Sequence, residues 1–538
     1  MPPPPRRLDV DPPSTPRSSV TARTTTLSRR SFLLGLAVAP VALSAACAGD
    51  GVGLATQPAG SVAGRRPLPI PPLATATTDA SGVRRFALTA SPGSTEMLSG
   101  TSTSTWGYNG SVLGPTIRAR RGETVAFTID NDLPEATTVH WHGVHVPARF
   151  DGGPHQTIEP GARWEPTWTV NQPAATLWYH PHPHGATEKH VYRGLAGFFL
   201  VDDDDTSSRD LPSTYGVDDV PIVVQDKRFA ADGSLDESGS TDVGLLGDTV
   251  VANGFSDTYL SVSTELVRLR LLNGSAGRMF NLGFSDDREF DMVASDGGLL
   301  AEPVRLTRIA LSPGERAEIV VAAGAAPVLL RAFPFEDGAG LDEPEAAAAG
   351  VHDDFDVLEL RPAATLGRST AVPAILATVP PMDTNAAVAH REFELQWFMI
   401  NGQRMDMARV DFTSTVDTVE VWTVRNVDNW PHNFHVHDTR FQVLDIDGAT
   451  PPPELRGWKD TVYTPPGSTI RLALRFSEYT DPEMPYMYHC HLLLHEDMGM
   501  MGQFLVLAPG EQPLPTASAA AATGAGHTQN PGGGHGGH

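Results

Sequence analysis

The sequence YHCHLLLHEDMGMMG, close to the C-terminal end of the chain, concentrates metal-binding side chains around one cysteine. His489 and His491 adjoin Cys490, His495 lies five residues further on and Met500 ten. A thiolate, two imidazoles and a weakly bound thioether are the ligands of a blue-copper electron-transfer site. The segment therefore predicts redox copper chemistry.

The spacing of this segment adds a second centre. In an extended chain successive side chains point to opposite faces, so Cys490 faces one way while His489 and His491 face the other, roughly 7 Å apart at a rise of about 3.3 Å per residue. One tripeptide can thus contact two metal sites. The remaining ligands must come from elsewhere in the chain.

Histidines in the same alternating H-x-H pattern occur at three other places, and a further histidine, His432, precedes the third of the four pairs. The pairs are His140 with His142, His180 with His182, His435 with His437, and His489 with His491. Clusters of donors with matched softness and spacing are typical of metal sites, whereas isolated histidines are expected to be ordinary polar residues. The pattern favours a multinuclear copper protein.

These clusters resemble the copper-binding motifs of the multicopper oxidase family, which includes laccases, bilirubin oxidase and bacterial cuprous oxidases. The resemblance covers nearly the whole chain after residue 75, and it implies four copper ions. By motif position, it implies His140 and His435 as ligands of the type 2 ion; His142, His180, His182, His437, His489 and His491 as ligands of the type 3 pair; and His432, Cys490 and His495, with axial Met500, as ligands of the type 1 ion. Every ligand of the family set is present in this sequence. A family member that had lost copper and become a scaffold would be expected to lack some of them.

The same resemblance implies roles for three acids. Asp151 and Glu496 match acids that relay protons during oxygen reduction in similar bacterial oxidases. Asp428, four residues before His432, matches an acid that contacts substrate in some relatives. The alternatives are that Asp151 and Glu496 are surface or loop acids and that Asp428 caps a turn.

Three stretches of the chain share one pattern, an alternating apolar and polar strand that ends in asparagine and is followed by a loop and another strand. This pattern is typical of an antiparallel sandwich. We predict an all-β protein of three tandem β-sandwich domains, at 76–205, 215–365 and 385–510, which the resemblance makes cupredoxin-like Greek-key sandwiches. The middle one has no copper motif and is expected to be a spacer.

The two ends of the chain are not expected to belong to these domains. Residues 1–46 contain SRRSFL and resemble a twin-arginine export signal, with an ordinary secretory signal or a basic tail as alternatives. Residues 47–75 are predicted to be a linker, and 511–538 a disordered tail rich in Gly and His. We therefore expect an exported protein that is periplasmic, at the cell surface or secreted. Cys47 is either a lipid anchor or lies beside an Ala-x-Ala-type cleavage site.

The cysteine count and the net charge of the chain limit which bonds and binding partners are expected. The chain has two cysteines and a formal net charge of −25. A structural disulfide is not expected, since Cys490 must be free to bind metal. The acidic balance opposes binding to nucleic acid.

The ligand set and the family resemblance together imply a function, which is one-electron oxidation of phenolic or aromatic amine donors coupled to reduction of dioxygen to water. A cuprous oxidase acting on Cu(I) in copper tolerance, a bilirubin oxidase-like enzyme, and a non-catalytic copper-binding or scaffold protein are the alternatives. Four methionines, Met405, Met407, Met484 and Met487, are scattered and are expected to pack ordinarily. With no methionine-rich lid evident, we expect the type 1 edge at His432 and His495 to be open to bulky donors.

Overall fold

A computed structural model describes residues 64–204 and 211–514. The predicted signal segment, Cys47 and the tail from residue 515 lie outside the described residues, so those interpretations stay predictions. Within the described ranges, no helix is long and apolar enough to cross a membrane.

The first sandwich consists of two sheets that pack around aromatic residues such as Phe127 and Trp141. The first eleven strands are β1 (Arg66–Pro67), β2 (Thr77–Thr78), β3 (Arg84–Leu98), β4 (Thr101–Tyr108), β5 (Ile117–Arg120), β6 (Thr124–Asn131), β7 (His140–His142), β8 (Arg163–Trp164), β9 (Thr167–Thr169), β10 (Ala175–His180) and β11 (Gly197–Asp202). One sheet has the order β2-β3-β6-β8, with β4 on β3 and β9 on β6, and the other β5-β11-β10-β7.

The second sandwich has a hydrophobic core that includes Leu282 and Phe284. Its strands are β12 (Asp219–Lys227), β13 (Ser240–Thr241), β14 (Gly244–Leu245), β15 (Thr249–Ala252), β16 (Thr258–Thr264), β17 (Leu266–Asn273), β18 (Phe280–Phe284), β19 (Phe290–Ser295), β20 (Gly298–Leu306), β21 (Arg308–Leu311), β22 (Arg316–Ala322), β23 (Val328–Phe333) and β24 (Phe355–Gly367). The sheets are β15-β12-β17-β22-β19-β20 and β1-β16-β24-β23-β18-β21, and β13 pairs with β14 alone.

The third sandwich surrounds Trp422, and Cys490 belongs to its core. Its strands are β25 (Ala389–Gln396), β26 (Met399–Ile400), β27 (Phe412–Thr415), β28 (Val419–Asn426), β29 (His432–Val436), β30 (Phe441–Ile446), β31 (Thr461–Thr464), β32 (Thr469–Arg475), β33 (Tyr486–His489) and β34 (Met501–Leu507). The sheets are β26-β25-β28-β32-β30 and β27-β34-β33-β29-β31.

Short helices connect some of these strands. They are α1 (Thr187–Tyr192), α2 (Glu345–Ala348) and α3 (Leu493–Asp497), with 3-10 turns at Ala148–Phe150, Gly338–Gly340, Thr384–Ala386 and Pro453–Leu455. Helices α1 and α3 contact each other, so the helix that follows His182 packs against the helix that carries His495.

The all-β sandwich prediction is confirmed, but the six large sheets are mixed and not antiparallel throughout. Each contains a parallel pair, namely β3 with β6, β5 with β11, β12 with β17, β16 with β24, β25 with β28, and β27 with β34. Apolar alternation reports which face of a strand is buried and not the direction of its neighbour. The predicted linker also differs, because β1 lies within it and pairs with β16.

The asparagine noted in each sequence repeat has one structural role in all three sandwiches. Asn131, Asn273 and Asn426 end β6, β17 and β28 and are buried. Each side-chain amide donates to two backbone carbonyls at 2.8–2.9 Å, and each Oδ1 accepts the N–H of the residue two positions on at 3.0 Å. The asparagine therefore fixes the loop that leads to the next strand.

The strand after that loop distinguishes the middle sandwich from the other two. His140 and His435 each come nine residues after their asparagine, and Leu282 holds the same place in the middle repeat. Leu282 and Phe284 are buried in the core of the middle sandwich, where the other repeats carry a histidine pair. The same framework thus presents either core side chains or metal donors.

Candidate metal centres

Eight histidines from the first and third sandwiches meet at one place, which we call the eight-histidine cluster. Its members are His140, His142, His180, His182, His435, His437, His489 and His491, and at most 1% of each is exposed. Strand pairing brings them together in each sandwich, since His180 lies opposite His140, and His489 opposite His435. The structure therefore brings together all four predicted H-x-H pairs.

Stacked rings join the two sandwiches across this cluster. His140 stacks on His437 with ring centres 3.9 Å apart, and His142 stacks on His435 at 3.8 Å. In both stacks, one ring comes from β7 and the other from β29 or the loop after it. The cluster is consequently shared between two domains.

The spacing of the inward nitrogens fits metal binding. The Nε2 atoms of His182 and His437 lie 3.3 and 3.2 Å from Nε2 of His489, and Nε2 of His180 lies 3.4 Å from Nε2 of His491. Nitrogens about 2.0–2.1 Å from a shared ion at tetrahedral angles stand about 3.3 Å apart. Donor atoms of His182, His437 and His489 all lie within 4.8 Å of one another, as do those of His140, His142 and His180.

Four of the eight rings are anchored to the backbone through their outward nitrogen, and this fixes the tautomer of each of the four. Backbone carbonyls accept from Nδ1 of His140, His180, His435 and His489, at 2.8–3.1 Å. Such anchoring turns the other nitrogen inward as a ligand. The inward Nε2 atoms of His140 and His435 are buried and have no hydrogen-bond partner among the described residues, which a bound ion would explain.

Burial also sets the charge of these rings. It lowers the pKa of His140 to about 4 and that of His489 to about 3. Both imidazoles are therefore neutral near pH 7, which is the form that binds a metal ion.

Asp151 and Glu496 lie against the Nδ1 atoms of one group of three histidines, namely His182, His437 and His489. Oδ2 of Asp151 accepts from Nδ1 of His437 at 2.7 Å. The two Glu496 oxygens lie 3.1 Å from Nδ1 of His182 and 3.3 Å from Nδ1 of His489. Burial raises the pKa of both carboxyl groups well above their ordinary values. The structure thus places both predicted acids against the cluster.

Asp460 is a further acid at the cluster, and the sequence interpretation missed it. Its Oδ1 lies 3.1 Å from Nε2 of His142, and its backbone carbonyl accepts from Nδ1 of His435. Asp460 directly precedes β31, and β31 pairs with β29, which carries His435. Only that strand pairing could have indicated it, because no histidine or cysteine lies near it in the sequence.

A second group of donors, which we call the cysteine cluster, consists of His432, Cys490 and His495. Sγ of Cys490 lies 3.7 Å from Nδ1 of His432 and 3.5 Å from Nδ1 of His495, and all three residues are buried. Burial raises the pKa of the Cys490 thiol to about 12, so a bound cation is needed to favour the thiolate. Met500 is buried nearby, and its carbonyl accepts the N–H of Cys490 at 3.1 Å.

The expectation of an open edge at this cluster is wrong. His432 and His495 are 0% and 1% exposed, and Nε2 of His495 donates to the carbonyl of Asp242 at 2.8 Å. The cavity beside them measures about 30 Å³ and is lined by Asp242, Trp397, Phe398, Asp428, Trp430 and the two histidines. The cover is aromatic, formed by the β25–β26 turn and by the β13–β14 turn of the middle sandwich. Neither turn is a methionine-rich insert, so the lack of such an insert in the sequence does not leave this edge open.

Asp428 caps a turn, as one of its two interpretations predicts, and its contact with substrate stays a prediction. Its carboxylate accepts from the backbone N–H groups of Trp397 and Asn429, and so caps a turn. It also lies 3.5 Å from Nε2 of His432. Burial opposes ionisation, but hydrogen bonds from His432 and the backbone lower the pKa of Asp428 to about 2. Asp428 is 9% exposed, which leaves little of it open to a donor.

Comparison with known proteins agrees with this architecture. Family models described as multicopper oxidase match residues 89–206 and 378–510. Multicopper oxidase mco of Staphylococcus haemolyticus is 36% identical over 447 residues, which cover 82% of this chain and 93% of that protein. Cell division protein FtsP of Escherichia coli K12 is 35% identical over 492 residues, which cover 89% of this chain and 99% of FtsP.

Solved structures give the same result. A laccase from Pediococcus acidilactici has a TM-score of 0.76 at 34% identity and covers 85% of this chain and 96% of its own. The laccase-like multi-copper oxidase CueO from Ochrobactrum sp. gives 0.74 at 35% identity, with 82% and 100% covered. The Campylobacter jejuni multicopper oxidase, titled a metallo-oxidase, gives 0.71 at 26% identity, with 82% and 95% covered. The cupredoxin-like fold prediction is therefore confirmed, and the chain belongs to the multicopper oxidase family.

Proposed function

We propose that this protein is a copper oxidase that couples one-electron oxidation of small phenolic or aromatic amine donors to reduction of dioxygen to water. Its family implies an oxidoreductase that uses copper, dioxygen and a reducing substrate. The observation that carries the proposal is that both donor clusters are buried and complete, with their nitrogens directed inward.

In this proposal His432, Cys490, His495 and Met500 would hold one copper ion, and the eight-histidine cluster would hold three. His140 and His435 would hold one of the three, and the other six histidines would hold the remaining pair. Within these six, donor atoms of His182, His437 and His489 lie within 4.8 Å of one another, and Nε2 of His180 lies 3.4 Å from Nε2 of His491. Bound copper would supply one-electron transfers, four of which, with four protons, convert one dioxygen to two waters. The soft cysteine sulfur and the imidazoles suit this metal.

The chain contributes connection and isolation. Cys490 is bonded directly to His489 and His491, so only backbone separates donors of the two clusters. Both clusters are shielded from solvent, which protects reactive species from side reactions.

Asp151 and Glu496 serve as proton relays in this proposal. Both are buried and touch histidines of the same group, so each can pass a proton toward the place where dioxygen is reduced. The proposal does not require either acid for electron uptake at the cysteine cluster.

Donors bind on the aromatic cover and do not contact His432 or His495 directly. Trp397 is 60% exposed, and its backbone has a φ of 56°, which is rare for a bulky side chain. Such conformations persist where surrounding contacts enforce them, here the acceptance of the Trp397 N–H by Asp428. An exposed indole beside the cluster offers a stacking surface for a planar aromatic donor.

The closed edge at the cysteine cluster also bears on the alternative functions. A cavity of about 30 Å³ admits neither a phenol nor a tetrapyrrole, so either donor would have to use the exposed indole of Trp397, a single stacking surface that suits a small planar donor better than bilirubin. A metal-ion donor is the second candidate, because one structural neighbour is titled a metallo-oxidase and because small ions do not need an open edge. A non-catalytic scaffold, raised by the likeness to FtsP, is disfavoured by the complete donor sets.

An oxygen electrode tests this proposal with 2,6-dimethoxyphenol, bilirubin and Cu(I) as donors, each with and without excess Cu(II). We expect oxygen uptake with the phenol in the absence of added copper and little with bilirubin. Rapid use of Cu(I), together with phenol oxidation only in excess copper, would replace the phenol oxidase proposal by a cuprous oxidase. No uptake with any donor, from protein that contains copper, would favour the scaffold.

Export of the folded protein remains part of the proposal, supported by SRRSFL at residues 28–33.

A further inference from the structure

The middle sandwich, which carries no copper motif, sends one charged side chain toward the eight-histidine cluster. Arg316 begins β22 and is fully buried. Its Nη1 donates to Oδ1 of Asp460 at 2.7 Å, and its Nη2 donates to Oδ2 at 2.6 Å. Such a two-pronged pair fixes the plane of the carboxylate as well as its position.

Asp460 passes this constraint to two histidines. Its Oδ1 lies 3.1 Å from Nε2 of His142, and its backbone carbonyl accepts from Nδ1 of His435 at 2.8 Å. The rings of His142 and His435 stack at 3.8 Å with an angle of 9° between their planes. One residue therefore anchors one histidine from each metal-binding sandwich.

His142 is anchored in the opposite sense from the histidines held through Nδ1. Because Asp460 engages Nε2, the nitrogen left for the cluster is Nδ1, which is buried and has no hydrogen-bond partner among the described residues. The hydroxyl of Thr461 also lies 3.2 Å from Nε2 of His142, and it donates to Oδ1 of Asp460 at 2.9 Å, so the position of Asp460 sets both contacts that turn Nδ1 inward. The orientation of His142 therefore depends on the Arg316–Asp460 pair more than on any backbone contact.

Arg316 is itself held by all three sandwiches. Its Nε donates to the carbonyl of Thr176 in the first, its Nη2 to the carbonyl of Asp296 in the middle one, and both Nη atoms to Asp460 in the third. Lys459 forms a second buried pair with Asp296 at 2.9 Å. The guanidinium of Arg316 thus contacts all three sandwiches, so the position of the Asp460 carboxylate depends on how the three domains are placed relative to one another.

We infer that Arg316 of the middle sandwich is a positioning residue of the copper centre, which acts through Asp460 to orient His142 and His435. The expected spacer is then a working part of the site. This inference rests on the proposed function, because it assumes that the eight-histidine cluster binds copper. A purely structural ion pair between domains is the competing explanation.

The test compares copper-loaded wild type with Arg316→Lys, which keeps the charge but not the two-pronged geometry, and with Asp460→Asn, which keeps the shape. Arg278→Lys is the matched control, because Arg278 is equally buried in the middle sandwich and pairs with Asp226 and Asp353, away from the cluster. Copper per chain, the electron paramagnetic resonance spectrum of type 2 copper, the blue absorption and the unfolding temperature of the metal-free protein are measured.

We expect Arg316→Lys and Asp460→Asn to change the type 2 spectrum and to weaken binding of copper to the cluster by ~10–100-fold, as removal of an outer anchor does. The blue absorption per chain should match wild type, and Arg278→Lys should change neither copper signal. If both site variants keep the wild-type type 2 spectrum and copper content, whatever their unfolding temperature, the inference is overturned. A wild type that binds no copper at the eight histidines would instead refute the proposed function.

Discussion

At the residue scale, the donors of both clusters lie in short local motifs, whereas the residues that anchor them come together from distant parts of the chain. The H-x-H pairs and the trail around Cys490 stand out because ligand types and spacing can be read locally. Asp460 and Arg316 could not be found in this way, because they lie 144 positions apart in the chain and meet only after three domains assemble. Anchors of this kind depend on distance in space, and no local pattern of carboxylates or arginines marks them.

Replacement of Cys490 by serine tests the cysteine cluster. Cys490→Ser should abolish the intense absorption near ~600 nm expected of cysteine-bound Cu(II), and donor oxidation with it, because the hydroxyl is a poor ligand for this site. Copper should remain at the eight histidines. Cys47→Ser is the matched control and should keep both the colour and the activity. A Cys490→Ser variant that stayed blue would refute the assignment.

Asp151→Asn separates proton supply from electron uptake. The amide oxygen can still accept from His437, so the ring should keep its orientation, but the side chain can no longer carry a proton. We expect oxygen reduction to slow by roughly 10²–10⁴-fold with the blue band unchanged. Stopped-flow reduction without oxygen should proceed at the wild-type rate. If that reduction fails instead, Asp151 has a structural role.

At the element scale, strands were easier to predict than the turns between them. Alternation and the terminal asparagines indicated β6, β17 and β28, and the structure shows one buried hydrogen-bond pattern at all three. Parallel pairing went unpredicted because it depends on crossovers between distant segments. The aromatic cover was missed for a related reason, since a two-residue turn carrying Trp397 gives no signal that it will fold over His495.

Removal of the Phe398 ring, which follows the exposed Trp397 in the chain, tests the aromatic cover of the cysteine cluster. Phe398 packs edge-on against His495 with ring centres 5.2 Å apart. Phe398→Ala should enlarge the cavity and raise kcat/KM for bilirubin relative to 2,6-dimethoxyphenol, with little change in the blue band. Val388→Ala, at a residue that is 63% exposed and outside the lining of the cavity, serves as the control. An unchanged ratio of the two donors in Phe398→Ala would show that the cover does not limit access.

At the scale of the whole molecule, the two donor-bearing sandwiches share one buried cluster and the middle sandwich buttresses it. The stacks of His140 on His437 and of His142 on His435 cross between the first and third sandwiches. The sequence indicated three domains and which of them carry donors. It could not show that Arg316 and Asp242 of the middle one reach the two clusters, because both positions look like ordinary loop or strand residues.

Copper removal should therefore loosen the molecule as a whole. A ligand that binds only the folded state adds about 4 kcal/mol at a concentration of 1,000 times Kd, and ions shared between two sandwiches stabilise both. We expect the metal-free protein to unfold at a clearly lower temperature than the copper-loaded protein in differential scanning calorimetry. Equal unfolding temperatures would contradict binding of copper by the folded cluster that the two sandwiches share.

Joint action of four copper ions on one dioxygen molecule is tested by the ratio of donor oxidised to oxygen consumed. Oxidation of 2,6-dimethoxyphenol by single-electron steps, with coupling of the radicals to the coloured diphenoquinone, releases two electrons per phenol, so simultaneous optical and oxygen-electrode recording should give two phenol molecules consumed per dioxygen, with no hydrogen peroxide. A ratio of one, with peroxide as the product, would show that the eight histidines do not support four-electron reduction, and the proposed oxidase chemistry would then be wrong.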